Sequence, residues 1–345
     1  MISKLIDDRD VDRIKGLLSE SRKIVLTCHV RPDGDALGST LGLYFLLKSL
    51  GKEARVVTPD IPARHFSFMP GIDTVVPASK YTEYASRLIG GADLIICCDF
   101  NRTSRVGDMC EMLESASCPK IMIDHHLDPD CFATVTLSFP EMSSASELAV
   151  RTIAALGYYD MVDADSASCL ATGIITDTRN FTVNCPNPEL FLIMYELSRK
   201  GIDREKILRE ALELKSEDSF RLCAYALSEK MRLFRQHSAS VITLSAEELE
   251  RFKYEKGDTE GLVNRPLEIS GVAYSFFLRE DSDCIKVSAR SVGGFPVNRI
   301  CEELFGGGGH LQAAGGEFHG TLEECSRILE EGMPRYDKFL KETKQ

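Results

Sequence analysis

The sequence predicts an α/β protein whose N-terminal part forms a mostly parallel sheet with helices on both faces, followed by a smaller α/β domain. Three observations support this fold class. Short apolar runs alternate with helical patterns in the N-terminal half, a charged helical stretch without strand patterns follows, and strand patterns then return. The length of 345 residues exceeds what one hydrophobic core usually serves, which also favours two domains.

The elements of the N-terminal half alternate between strand and helix. Buried strands are predicted where apolar residues run almost without interruption, at residues 23–28, 53–58, 93–98 and 120–123. Helices are predicted at residues 35–50, which Gly51 closes, and at 144–156 and 165–176. Helices that connect parallel strands cover both faces of a sheet, which gives the predicted layers.

The second half of the chain begins with a change of pattern. Residues 188–234 show helical periodicity with many charges and are predicted to contain no strand. Strands are predicted at residues 240–244, 272–278 and 284–289, and helices at 296–304 and 322–333. This half is therefore predicted to be a helical connector and a smaller α/β domain.

Charge and composition restrict the function. The formal net charge is −12, whereas a protein that binds long nucleic acid through its phosphates normally needs a basic surface. Only short oligonucleotides are therefore expected as nucleic-acid partners. No apolar run approaches the roughly 20 residues that span a bilayer, and no signal-peptide core is present, so a cytoplasmic protein without a membrane partner is expected. Twelve cysteines without a C-x-x-C pair predict reduced, core-filling thiols.

Three predicted strands of the N-terminal half end in residue types that bind metal ions. These residues are His29, Asp33 and Asp35 after the first strand, Asp99 after the third, and Asp124, His125 and His126 after the fourth. Asp177 ends the apolar helical run 171–176. Because ligands collect at the carboxyl ends of strands in open α/β sheets, these side chains are expected to meet in one crevice. Each has a structural explanation alone, such as a turn at Asp33 or a helix cap at Asp35, but their coincidence favours a metal site.

A glycine run near the C-terminus is a second candidate site. Gly306 to Gly309 precede His310, and Arg290 follows the predicted strand 284–289. Glycine lets a backbone approach a phosphate closely, and consecutive N–H groups form an anion nest. The structural alternative is a flexible loop or a helix C-cap after Phe305.

Taken in order, these motifs resemble those of a known family. His29-x-x-x-Asp33-x-Asp35, Asp99, Asp124-His125-His126 and Asp177 resemble the four motifs of the DHH phosphoesterases, and Phe305-Gly-Gly-Gly-Gly309-His310-x-x-Ala-Ala-Gly315 resembles the signature of the DHHA1 domain. Together they cover almost the whole chain. The resemblance implies a DHH catalytic domain at residues 1–189, a helical connector at 190–220 and a DHHA1 substrate-binding domain at 221–345, with an active-site cleft between the domains.

The resemblance also implies a role for each residue. Two divalent ions are implied, with manganese preferred and magnesium or cobalt as alternatives, because oxygen-rich sites with imidazole suit these ions. His29 and Asp33 would bind the first ion, Asp35, His125 and Asp177 the second, and Asp99 both. His126 would contact phosphate or donate a proton, and Asp124 would fix the orientation of a histidine. Arg290, Gly307, Gly308, Gly309 and His310 would bind the substrate.

The implied activity is hydrolysis of short single-stranded oligonucleotides and linear dinucleotides to mononucleotides, and of 3′-phosphoadenosine 5′-phosphate (pAp) to AMP, by a hydroxide that two metal ions activate. Two alternatives stay open: a manganese inorganic pyrophosphatase, whose lysine- and arginine-rich signature we do not find in the sequence, and a non-catalytic nucleotide- or RNA-binding module. A membrane-bound cyclic-dinucleotide phosphodiesterase is not expected, because it would need transmembrane and sensory segments that the sequence does not show. Preferred length, polarity, RNA or DNA preference and homodimer formation also stay open.

Overall fold

The computed structural model describes residues 3–185 and 187–342. The chain divides into two compact units, Met1–Leu214 and Lys215–Gln345. The predicted helices form at Gly34–Ser49, Ala145–Leu156 and Ala164–Asp177, within one residue of the predicted bounds. The helices at Asp8–Glu20, Thr82–Gly90 and Cys110–Ser115 were not predicted.

The first unit is a parallel α/β fold. Its strands are β1 (Lys23–Thr27), β2 (Glu53–Thr58), β3 (Val76–Pro77), β4 (Leu94–Cys98), β5 (Lys120–Asp124) and β6 (Val135–Ser138). Its helices are α1 (Asp8–Glu20), α2 (Gly34–Ser49), α3 (Thr82–Gly90), α4 (Cys110–Ser115), α5 (Ala145–Leu156), α6 (Ala164–Asp177), α7 (Glu189–Arg199) and α8 (Arg204–Leu208). The strands pair in the order β3-β2-β1-β4-β5-β6, and every pair is parallel.

Strand β4 shows why these segments are apolar throughout. Ile95 and Cys97 pack into a core that residues of α3 and α4 share, whereas Leu94 and Ile96 point to the opposite core, which α2, α5 and α6 cover. A strand with helices on both faces has no side exposed to water, so it lacks the polar alternation of a surface strand. The predicted fold class is confirmed.

Helices α2 and α6 approach each other unusually closely, which determines the position of the candidate site. A Cβ atom added to Gly38 would lie 2.6 Å from the carbonyl oxygen of Cys169 and 2.8 Å from the backbone nitrogen of Gly173. Gly34 leaves equally little space, since its Cβ would collide with Thr176. The glycines therefore bring the beginning of α2 against the end of α6.

The second unit is a mixed sheet with helices on both faces. Its strands are β7 (Met231–Phe234), β8 (Ala239–Leu244), β9 (Tyr274–Glu280), β10 (Ile285–Ser291), β11 (Gly308–His310) and β12 (Ala313–Phe318), in the order β11-β12-β10-β9-β8-β7. Its helices are α9 (Glu217–Tyr225), α10 (Ala246–Arg251), α11 (Val297–Phe305), α12 (Leu322–Gly332) and α13 (Asp337–Glu342). Only β8 and β9 pair in parallel within this described sheet.

Two segments of the second unit differ from their predictions. Residues 231–234 were predicted to be part of a strand-free helical stretch, and that prediction is wrong because they form β7, an edge strand paired with β8. The glycine run is also not a flexible loop, because residues 308–310 form edge strand β11. The C-cap alternative holds for Gly306 alone, which closes α11 in the left-handed conformation at φ +57°.

Among the described residues, the structure contains no helix long and apolar enough to cross a membrane.

Candidate metal centre

The predicted metal-binding side chains meet at the carboxyl edge of the first sheet. Strands β1, β4 and β5 are neighbours, so the residues that follow them come together, and the start of α2 and the end of α6 complete the cluster. Three groups have ligand atoms within 4.8 Å of one another. These groups are His29, Asp33 and Asp99; Asp35, His125 and Asp177; and Asp99, His125 and His126.

Asp99 lies at the centre of the cluster. Its Oδ2 is 3.2 Å from Nε2 of His29, and its Oδ1 is 3.4 Å from Nε2 of His125. Its backbone is left-handed at φ +63°, a conformation that is uncommon for a non-glycine residue and that surrounding contacts have to hold. Burial raises the pKa of Asp99, but the two histidines lower it more, so the carboxyl pKa lies well below its ordinary value.

Asp33 has a structural role and a place in the cluster at the same time. Its Oδ1 caps α2 by accepting hydrogen bonds from the backbone N–H groups of Asp35 and Ala36, each at 3.0 Å. Its Oδ2 is 3.8 Å from Nε2 of His29. The expectation that Asp35 caps this helix is wrong, because Asp33 is the cap and Asp35 lies in the first turn of α2. The cap role of Asp33 is compatible with metal binding, since its Oδ2 faces the ring of His29.

Asp35 is buried and is held by the N-terminus of α5. Its Oδ2 accepts the N–H of Ala145 at 2.6 Å and its Oδ1 accepts the N–H of Ser146 at 2.8 Å. A helix N-terminus stabilises an anion, so α5 fixes this carboxylate in place. This support was not predicted from the sequence, although Ser144 is an ordinary N-cap residue at the start of a predicted helix.

The rings of His29 and His125 present Nε2 to the carboxylates. Nδ1 of His29 is 2.7 Å from the carbonyl oxygen of Val30, and Nδ1 of His125 is 3.4 Å from that of Met142. Burial lowers the pKa of each imidazole, but Asp99 and the other carboxylates raise it more, to about 9 for His29 and about 10 for His125. Both rings are therefore protonated at neutral pH when no cation is bound.

His126 is oriented by Asp124. The Nδ1–H of His126 donates to Oδ1 of Asp124 at 2.8 Å, and its backbone N–H donates to Oδ2 at 3.0 Å. Asp124 is fully buried. Since Nδ1 is engaged by this carboxylate, Nε2 is the ring atom that remains for contact with another group.

The cluster has the properties of a cation site. Oδ1 of Asp99 and Oδ2 of Asp177 are buried without a hydrogen-bond partner among the described residues, which is unusual for carboxylate oxygens. Burial, with Asp99 and Asp33 nearby, raises the pKa of Asp177 to about 7 despite the opposing effect of His125. Burial and two neighbouring carboxylates likewise raise the pKa of Asp35. A divalent cation would supply both the missing partners and the counter-charge.

The candidate substrate residues of the second unit lie on β10 and β11. Arg290 is part of β10, and its Nη1 donates to the carbonyl oxygen of Ala289 at 2.8 Å. Gly307 and Gly309 are explained by packing, because a Cβ would lie 2.5 Å from the Cα of Gly316 and from the carbonyl oxygen of Ala313 respectively. Gly308 has open space beside it, and His310 is exposed.

Two family models match the chain. A model described as the DHH family, N-terminal domain, matches residues 23–174, and a DHHA1 domain model matches residues 238–339. The chain is 32% identical over 309 residues to the bifunctional oligoribonuclease and PAP phosphatase NrnA of Thermus thermophilus, covering 89% of this chain and 88% of that protein. The enzyme of the same name from Bacillus subtilis is 28% identical over 315 residues, covering 89% and 92%.

Another relative is longer. The cyclic-di-AMP phosphodiesterase GdpP of Geobacillus thermodenitrificans is 26% identical over 336 residues, which cover 94% of this chain but 49% of that protein. This chain therefore spans about half the length of that relative.

Solved structures resemble the fold. The crystal structure of an exopolyphosphatase-related protein from Bacteroides fragilis has a TM-score of 0.95 and 43% identity, covering 98% of this chain and 99% of that chain. RecJ of Thermus thermophilus in complex with Mn²⁺ has a TM-score of 0.57 and 16% identity, covering 97% of this chain and 56% of that chain. The likeness to RecJ concerns the fold alone.

Proposed function

Because this chain belongs to the DHH phosphoesterase family and carries a DHHA1 domain, we propose that it hydrolyses short oligonucleotides to mononucleotides and pAp to AMP. Relatives named for both activities cover most of this chain and most of their own length. The observation that carries the proposal is the cluster of two ligand groups, His29, Asp33 and Asp99 on one side and Asp35, His125 and Asp177 on the other.

We assign these two groups to two divalent ions, with Asp99 as a ligand of both. Manganese is the preferred ion and magnesium an alternative, in line with a ligand set of carboxylate oxygens and imidazole nitrogens. Two bound divalent ions would supply a water of lowered pKa and would neutralise the negative charge of a phosphate. The two buried carboxylate oxygens without partners support this assignment.

The protein's own groups would orient the phosphate and move a proton. Asp124 holds Nδ1 of His126, so Nε2 is assigned to contact a phosphate oxygen or to give a proton to the leaving oxygen. The α5 N-terminus holds Asp35, and the α2 cap holds Asp33, so neither carboxylate has to reorganise during the reaction.

In the second unit, Arg290, Gly307, Gly308, Gly309 and His310 are proposed to bind the nucleotide. Guanidinium and imidazole groups are hydrogen-bond donors that suit a phosphate or a base edge. Exposure of His310 and the open space at Gly308 support this role. The packing roles of Gly307 and Gly309 would then restrict them to backbone contacts.

A ladder of labelled oligonucleotides from two to twenty-four residues, with pAp alongside, tests the proposal. With manganese present, the rate per end should fall steeply between about five and twenty nucleotides, because a chain of net charge −12 repels a long polyanion. The Asp99→Asn variant should be inactive on every substrate. Equal rates on dinucleotides and twenty-four-mers would refute the preference for short substrates, and cleavage of pyrophosphate alone would favour the pyrophosphatase alternative.

A further inference from the structure

Asn101 joins the segment that carries Asp99 to the segment that carries the histidine pair. Only 9% of this asparagine is exposed, although asparagine is mostly a surface residue. Its side-chain Nδ2 donates a hydrogen bond to the carbonyl oxygen of Leu127 at 2.5 Å. Its backbone carbonyl oxygen accepts a hydrogen bond from the N–H of Asp130 at 2.8 Å. Both contacts are with the loop that begins directly after His126.

The residues around Asn101 strengthen the same connection. The rings of Phe100 and Phe132 stack with centroids 5.8 Å apart and planes within 3°. Asp99 and Asp128 both have left-handed backbones, at φ +63° and φ +56°. Such conformations persist only where surrounding contacts hold them, and Asn101 supplies contacts to the second of these segments.

We propose that Asn101 is a positioning residue that keeps His126 beside Asp99, an inference that rests on the proposed phosphoesterase function. Nδ1 of His126 lies 3.7 Å from Oδ1 of Asp99. Asp124 holds the imidazole through Nδ1 and the backbone N–H of His126, both from the N-terminal side of this histidine. Asn101 holds the residue that follows, Leu127, so the backbone of His126 is supported on both sides.

The variant Asn101→Asp tests this role with little change of shape. It replaces the donor Nδ2 by an oxygen that faces the carbonyl oxygen of Leu127, so the loop loses this side-chain hydrogen bond. Loss of such outer contacts typically reduces activity about 10- to 100-fold, and we expect this loss in kcat on a dinucleotide with KM nearly unchanged. Manganese content of the saturated protein should stay close to that of the wild type, whereas the unfolding temperature should fall, because a buried carboxylate then faces a carbonyl oxygen.

Arg102→Gln is the matched control. Arg102 is the next residue and its Nη2 contacts the carbonyl oxygen of Asp128 in the same loop, but at 3.3 Å and from a side chain that is 49% exposed. Exposed contacts of this kind contribute little free energy, so the kcat of Arg102→Gln should remain near the wild-type value.

A double-mutant cycle with His126→Ala separates positioning from a general structural role. If Asn101 acts through His126, then Asn101→Asp should cause almost no further loss in the His126→Ala background. The inference would be overturned if the reductions in kcat of the two single variants multiply in the double variant. It would also be overturned if Asn101→Asp lowers the amount of bound manganese in proportion to kcat. If the wild type cleaves the dinucleotide and Asn101→Asp cleaves it equally fast, the inference is overturned and the proposed function stands.

A second readout does not depend on turnover. The chain has seven histidines, so ¹⁵N-histidine labelling gives a small set of ring signals, and His126→Ala identifies the signal of residue 126. That signal should shift in Asn101→Asp and stay in place in Arg102→Gln. An unchanged His126 signal in Asn101→Asp would overturn the inference even if activity falls.

Discussion

Gly173→Ala should damage the metal centre from outside it. Gly173 lies on α6 where that helix meets α2 and α5, and a Cβ atom there would lie 2.8 Å from Oδ1 of Asp35 and in collision with Ser146. The added methyl group would therefore push on the carboxylate assigned to the second ion. Gly16 on α1 is the matched control, because nothing lies within 4 Å of a Cβ at that position.

The magnitude follows from two opposing effects. Alanine in place of glycine inside a helix stabilises by about 0.5–1 kcal/mol, which is what Gly16→Ala should gain. Overpacking a tight contact costs about 1–3 kcal/mol, so Gly173→Ala should lower the free energy of unfolding by about 1–2 kcal/mol net. Displacement of Asp35 should also weaken manganese binding about 10- to 100-fold.

Denaturant unfolding in the presence of a chelator measures the first effect, and manganese titration by calorimetry measures the second. The two glycine variants should change stability in opposite directions, and only Gly173→Ala should change manganese affinity. A Gly173→Ala protein that gains stability like Gly16→Ala, or that binds manganese as tightly as the wild type, would refute the geometry given for Asp35.

Further predictions concern pH and the second unit. The carboxylates raise the pKa of His29 to about 9 and the pKa of His125 to about 10, so a cation has to displace a proton from each ring. Manganese affinity should therefore rise from neutral pH toward pH 9, and binding should release protons. Calorimetry that finds the same affinity at every pH would contradict this prediction. Arg290→Ala and His310→Ala should each lower kcat/KM on a dinucleotide or pAp about 10- to 100-fold, since a charge-assisted hydrogen bond contributes about 1.5–3 kcal/mol. The rate on a small aryl phosphodiester should stay close to that of the wild type. Equal losses of kcat/KM on the nucleotide and on the aryl phosphodiester would mean that these residues contact the reacting phosphate or stabilise the fold.

Much of the first unit could be predicted because its information is local. Parallel strands buried on both faces leave apolar runs such as residues 94–98, and ligands at strand ends then meet through the topology alone. The four-residue strand β7 could not be predicted, because its strand conformation comes from pairing with β8 after a helical stretch. Propensity gives way to tertiary pairing in such short edges.

The support of the candidate site could not be predicted from sequence for a related reason. The roles of Gly38 and Gly173 depend on how closely α2 and α6 approach, and the role of Asn101 depends on a loop 26 residues away in sequence. The glycine run illustrates the same difficulty, because backbone packing in a hairpin and phosphate binding both favour glycine. Only the structure shows that Gly307 and Gly309 lack space for a side chain.

The number of bound manganese ions per chain tests the central claim most directly. Equilibrium dialysis followed by elemental analysis should find two ions per wild-type chain, since His29, Asp33 and Asp99 form one ligand group and Asp35, His125 and Asp177 form another. Asp99→Asn should bind fewer ions and lose turnover while its circular dichroism stays that of a folded protein. A single ion in the saturated wild type, or an Asp99→Asn protein with full metal content and full activity, would contradict the account.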